Sequence, residues 1–127
     1  MKTNTRDGKS GKAALIVGAG DATGAAIARR FAREGYVACL ARRSADKLQP
    51  LVDAIRAEGG EARGFAADAR KEEQVAELIE TIESEVGPIE VFVFNIGANV
   101  PCGILDETPR KFFKIWEMAC FAGFLTS

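Results

Sequence analysis

The segment Gly18-Ala19-Gly20-Asp21-Ala22-Thr23-Gly24 and the pair Arg42-Arg43 are where residue type and spacing suggest chemistry. Glycines between a short apolar run and an amphipathic stretch let the chain leave a strand, pass close to a ligand and enter a helix whose free N–H groups and dipole attract an anion. The chemistry on offer is phosphate binding. A strict Gly-x-Gly-x-x-Gly would need glycine at position 23, where Thr23 stands, so the match is one of context; the alternative is a tight turn that holds nothing. At the end of the second apolar run an Asp or Glu would accept hydrogen bonds from a ribose 2′-hydroxyl, as NAD and S-adenosylmethionine sites use it, but Ala41, Arg42 and Arg43 occupy that place. Two guanidinium groups suit a 2′-phosphate. They equally suit a strand end with solvated charges, and position alone leaves both readings open.

Other chemistries are excluded by what is missing. The 127 residues include no His, one Tyr (Tyr36) and three Cys (Cys39, Cys102, Cys120) that form no Cys-x-x-Cys pair. Triads built on His, zinc sites of the His/Cys kind and a disulfide framework drop out, no metal is expected, and scattered cysteines point to a reducing, cytoplasmic setting. Seventeen basic against eighteen acidic side chains give a net charge of −1, and 47% hydrophobic residues suffice for one packed core. Lys2, Arg6, Lys9 and Lys12 face Asp7 alone, yet no basic helix face follows, so residues 1–11 read as a flexible solvated tail rather than a nucleic-acid arm. No apolar stretch approaches the ~20 residues of a membrane span, and the N-terminus lacks the hydrophobic segment of a signal peptide, so neither membrane insertion nor export is expected.

The elements that must position these residues follow from hydrophobic period. Ala13 to Val17 is a short apolar run, as a strand buried on both faces would be, and Gly24 to Glu34 forms a helical stripe ended by Gly35. A second strand runs from Tyr36 to Ala41. Ser44 can then cap a helical stretch with Leu48, Leu51, Val52 and Ile55, in which Pro50 either sits one turn in or opens the main helix after a separate turn. A weaker third strand, Ala62 to Ala67, leads to Asp68. Val75, Leu78, Ile79, Ile82 and Val86 mark the clearest helix, stopped by Gly87-Pro88. Glu90 to Asn95 is the fourth strand, and Thr108-Pro109 opens a last helix with Phe112, Trp116, Ala119 and Gly123 along one stripe. Strand and helix thus alternate four times, which favours an α/β fold with a doubly wound, Rossmann-like parallel sheet, here a partial one spanning residues 12–127.

In that order and at these intervals, the Gly18 to Gly24 turn, the basic pair, Ala67-Asp68-Ala69 and Phe94-Asn95-Ile96-Gly97 resemble the short-chain dehydrogenase/reductase family over residues 12 to 125. The resemblance implies that Gly18 and Gly24 are the outer glycines of the family's Gly-x-x-x-Gly-x-Gly turn, with Ala22 in place of the middle one. It implies that Asp68 accepts a hydrogen bond from the adenine, and that Asn95 and Gly97 belong to a motif bracing the sheet beside the adenosine ribose. Asp21 is a departure, since family members preferring NADP often carry a base there and a carboxylate repels a 2′-phosphate. Cys120 falls where the family places a catalytic Asn; a thiol does not replace a carboxamide, and Cys120 reads as a packed helix residue.

The family's Ser and Tyr-x-x-x-Lys have no match: the one tyrosine, Tyr36, is followed four residues on by Leu40. The resemblance therefore implies the NADP(H)-binding portion, with NAD less favoured, of an oxidoreductase acting by hydride transfer on a carbonyl or alcohol, inactive alone. The rival reading is a non-catalytic dinucleotide-binding or protein-interaction module that assembles with a complete relative. Self-association is expected through the fourth-strand edge and the last helix, since the edge carries no Lys or Pro to discourage pairing.

Overall fold

The computed structural model describes residues 11–20 and 22–127. The expected tail, apart from Gly11, and Asp21 lie outside the described residues. Strands β1 (Ala13–Val17), β2 (Val37–Arg42), β3 (Glu61–Ala66) and β4 (Ile89–Phe94) form one parallel sheet in the order β3-β2-β1-β4. Helix α1 (Thr23–Arg33) follows β1, a 3₁₀ turn (Ala45–Lys47) and α2 (Gln49–Ala57) follow β2, and α3 (Glu72–Glu85) follows β3. This is the doubly wound arrangement the alternation predicts.

Period-two side chains assign the two faces. Ala14, Ile16, Ala38 and Leu40 meet Ala28 and Ala32 of α1 and Val52 and Ile55 of α2. Leu15, Val17, Cys39 and Ala41 meet Leu78 and Ile82 of α3 and Val86 just beyond it. Alanines on α1 let that helix lie close to the sheet. Of the two placements for Pro50, the second holds: it sits in the first turn of α2, after the separate 3₁₀ turn, with Leu48 buried between them. Between β1 and β4 the register slips, with Ala13 opposite Ile89 and Ala14 opposite Val91. Glu90 is the extra residue, and its carboxylate pairs with Lys12 at 3.0 Å. The bulge changes which face alternate residues take, so Ile89 and Phe94 pack on the α3 side while Val91 and Val93 pack on the α1 side.

The last helix departs from the expected stripe. Thr108 does cap α4 (Pro109–Trp116), accepting the Lys111 N–H at 3.2 Å, with Pro109 in the first turn. The chain then passes through a π turn (Glu117–Phe121) into α5 (Ala122–Thr126). A stripe of Phe112, Trp116, Ala119 and Gly123 assumes unbroken α periodicity, whereas the wider π turn rotates everything after it. Ala122 and Thr126 are buried instead and Gly123 lies against the Phe94 ring, while Phe112, Trp116 and Ala119 stay exposed. Cys120, expected to be packed, is likewise exposed on this turn.

Candidate functional site

All four strands run the same way, so their carboxyl ends share one rim. The crossovers diverge at β1, toward β2 and β3 on one side and β4 on the other, and a cleft of about 430 Å³ opens there. The turn after β1 is fixed by its neighbours. The Gly18 N–H donates to the Ala41 carbonyl at 2.9 Å, and the Asn95 N–H donates to the Val17 carbonyl at 2.8 Å. The Asn95 side-chain amide donates to the Gly18 carbonyl at 3.2 Å, locking β4 to the turn. Gly18 has φ +85°, and a Cβ there would stand 2.5 Å from the Asn95 carbonyl oxygen. A Cβ on Gly24 would stand 2.8 Å from the Gly18 oxygen and 2.9 Å from the Ala19 Cα, so this glycine lets α1 begin directly behind the turn. Gly20, by contrast, has no atom within 4 Å of its would-be Cβ.

Of the residues singled out in the sequence, Gly18, Gly20, Arg42, Arg43, Asp68, Ala69, Asn95, Ile96 and Gly97 line the cleft. Ala22, Thr23 and Gly24 do not: the first two are exposed at the start of α1 and Gly24 is buried behind the turn. Asp21 lies outside the described residues.

Asp68 is held by several partners. Its Oδ1 accepts from the Arg70 N–H at 3.1 Å and from Arg70 Nε at 2.9 Å, and its Oδ2 accepts from Arg70 Nη2 at 2.8 Å. Its own N–H donates to Gln74 Oε1 at 2.8 Å. The hydrogen bonds from the Arg70 side chain, against an opposing desolvation, bring the Asp68 carboxyl down from 3.8 to about 2, with Arg43 adding to the pull. Asp68 is therefore a carboxylate at any ordinary pH. Arg70 Nη1 also reaches Glu117 Oε1 at 3.5 Å, which ties the loop after β3 to the π turn.

Several arginines away from the cleft, and Arg70 within it, are paired. Arg29 and Arg33 pair with Glu58, Arg30 with Glu34, Arg63 with Glu85 and Arg70 with Asp68. Arg42, Arg43 and Lys47 line the cleft, and among the described residues none of the three pairs with a carboxylate. That end of the cleft is positively charged by composition. Among the described residues no cluster could hold a metal ion, and no helix is long and apolar enough to cross a membrane.

Sequence reasoning missed Lys47, Arg70, Met118 and Ala122, all of which line the cleft. Lys47 was hidden by the uncertain start of the second helix. Arg70 had a signal, since an Asp two residues before another residue commonly accepts its N–H in an Asx turn. Met118 and Ala122 gave none, because only the π turn brings them round.

The family model for short chain dehydrogenases matches residues 12–127. The chain is 37% identical over 118 residues to 2,3-dihydro-2,3-dihydroxybenzoate dehydrogenase of Bacillus subtilis, covering 90% of this chain and 45% of that protein. A short-chain dehydrogenase from Rhodopseudomonas palustris superposes with TM-score 0.85 at 44% identity, over 91% of this chain and 54% of that one. A metagenomic short-chain oxidoreductase in complex with NADP superposes with TM-score 0.86 at 28% identity, over 94% of this chain and 55% of that one. The chain spans about half the length of each of these relatives.

Proposed function

The chain belongs to the short-chain dehydrogenase family, and from that premise we propose that residues 12–127 form an NADP(H)-binding domain whose parent reaction is hydride transfer on a carbonyl or alcohol. One observation carries the preference for the phosphorylated cofactor: Arg42, Arg43 and Lys47 converge on the cleft with no carboxylate partner among the described residues. The rest of the cleft fits the group. Gly20 has no side chain to crowd a pyrophosphate, α1 begins without a side-chain cap directly behind the turn, and the Asp68 carboxylate offers an acceptor to an adenine amine. When bound, the nicotinamide would give a hydride to the carbonyl or take one from the alcohol; this chain's part is to bind and orient it.

Titration with NADPH and NADH tests the reading. The wild type should favour NADPH, and Arg42→Ala, Arg43→Ala or Lys47→Ala should each weaken NADPH by about five- to tenfold and leave NADH almost unchanged. Equal affinity for both cofactors, insensitive to all three substitutions, would overturn it.

No turnover is expected from this chain by itself. Tyr36 sits at the entrance to β2, edge-on to Phe31 at 5.7 Å, and four residues on stands Leu40 where a Tyr-x-x-x-Lys pair would have its lysine. Ketones and aldehydes assayed with NADPH should give background rates; turnover lost on Cys120→Ala would contradict this.

Self-association belongs to the same proposal. Among the described residues β4 has a strand neighbour on one side only, and Phe112, Phe113, Trp116 and Phe124 of the last helical segment are exposed. A melting temperature that rises with protein concentration is the expected sign. A monodisperse monomer at high micromolar concentration would contradict it.

A further inference from the structure

Arg70 stands where two walls of the cleft meet. Three of its N–H donors fix both oxygens of Asp68, and the fourth contact reaches Glu117, the residue immediately before Met118. Met118 and Ala122 supply an apolar wall of the cleft, and Asp68 supplies an acceptor edge. Oδ1 of Asp68 already receives two hydrogen bonds and Oδ2 one, so with about four acceptor sites on a carboxylate, Oδ2 keeps capacity for one more donor. A guanidinium fork holds a carboxylate in one rotamer, as a single ammonium does not. The ligand edge that suits this arrangement is flat, apolar on its face and equipped with an N–H donor at its rim.

We propose that Arg70 is the positioning residue that sets nucleobase selectivity in this cleft, presenting Asp68 to the exocyclic amine of a 6-aminopurine and anchoring the Met118 wall against the ring. This rests on the nucleotide-binding reading above and deepens it. A 6-oxopurine would put a carbonyl oxygen against the carboxylate, with its nearest proton one ring position away on N1, and sites built to pair a polar group reject the analogue that lacks it. Arg43 is the other charged group bearing on Asp68, and it sits on the phosphate side of the argument.

The experiment is equilibrium titration of the whole chain with NADPH and with its hypoxanthine counterpart, in which a 6-oxo group and a protonated N1 replace the 6-amino group and bare N1. The wild type should bind the 6-amino form about tenfold or more tightly. Arg70→Ala should bring that ratio toward one by weakening the 6-amino form, and Arg70→Lys, which keeps the charge without the fork, should give an intermediate ratio and a variant to measure if the alanine form does not fold. Asp68→Asn, whose amide can donate, should turn the preference toward the 6-oxo form. A wild type indifferent to the two bases, or an Arg70→Ala that weakens both forms equally, would overturn the inference while leaving cofactor binding intact. Failure of the wild type to bind either dinucleotide would instead overturn the proposed function and this inference with it.

Discussion

Strands β1 and β4 are made of similar material and end in different surroundings. All five residues of β1 are buried, whereas β4, with Ile, Val and Phe at five of its six positions, has no fully buried residue. β1 has a strand on each side and helices over both faces; among the described residues β4 has β1 on one side only, and Phe92 is 37% exposed. Apolar composition therefore states what a strand requires, and position in the sheet decides whether it is met. The helices repeat the contrast. α1 and α3 bury their apolar faces on the sheet, while α4 buries none of its residues and turns its aromatic rings outward.

The sharpest break in this comparison comes from the turn that joins the two regions. Gly18→Val would force a branched side chain at φ +85° into the Asn95 carbonyl, with an expected loss of at least ~3 kcal/mol and of cooperative unfolding by denaturant. Gly20→Ala, entering open space, should cost little. Next in size is Leu40→Ala in the centre of the sheet, expected to lower stability by about 2–5 kcal/mol. Its counterpart Phe113→Ser, on the exposed face of α4, should shift stability within about 0.5 kcal/mol and reduce association measured by light scattering. An equal loss at both positions would erase the contrast.

Smaller effects separate the cleft from the core. Asp68 has a folded-state pKa of about 2 against an ordinary 3.8, so its pairing with Arg70 adds stability above the ordinary value and is lost as pH falls through about 2. Asp68→Asn should therefore lower the unfolding free energy measured by denaturant at neutral pH, by on the order of 1 kcal/mol, with the difference shrinking below pH 4. The cysteines provide the gentlest test. Burial pushes the Cys39 thiol up to about 12, while Cys102 and Cys120 are exposed. Alkylation under native conditions should label Cys102 and Cys120 and spare Cys39 until the chain unfolds.

Most of the sheet was legible because its determinants are local. Apolar runs such as Ala13 to Val17, the Val75 to Val86 stripe and the Thr108-Pro109 cap each declare themselves within a few residues. The strand-end positions of the cleft were legible for the same reason, since Gly18, Arg42, Asp68 and Asn95 each follow a recognisable run. What stayed hidden depends on register between distant segments. Nothing near Glu90 announces that it will be the unpaired residue opposite β1, and nothing near Met118 announces a π turn. Lys47 and Arg70 join the site through the backbone path after β2 and β3, which composition does not encode.

The rim of Arg42, Arg43 and Lys47, unpaired among the described residues, also acts before any ligand touches it. With the whole chain at a net charge of −1, three cations at one end of a cleft make the molecule electrically lopsided, and low-dielectric walls focus their field outward. That field is felt over roughly a Debye length, about 8 Å at physiological ionic strength. A phosphate-bearing ligand of the kind proposed would be drawn in along that direction, and its rate of capture should fall as salt is added even where the rate of escape stays the same.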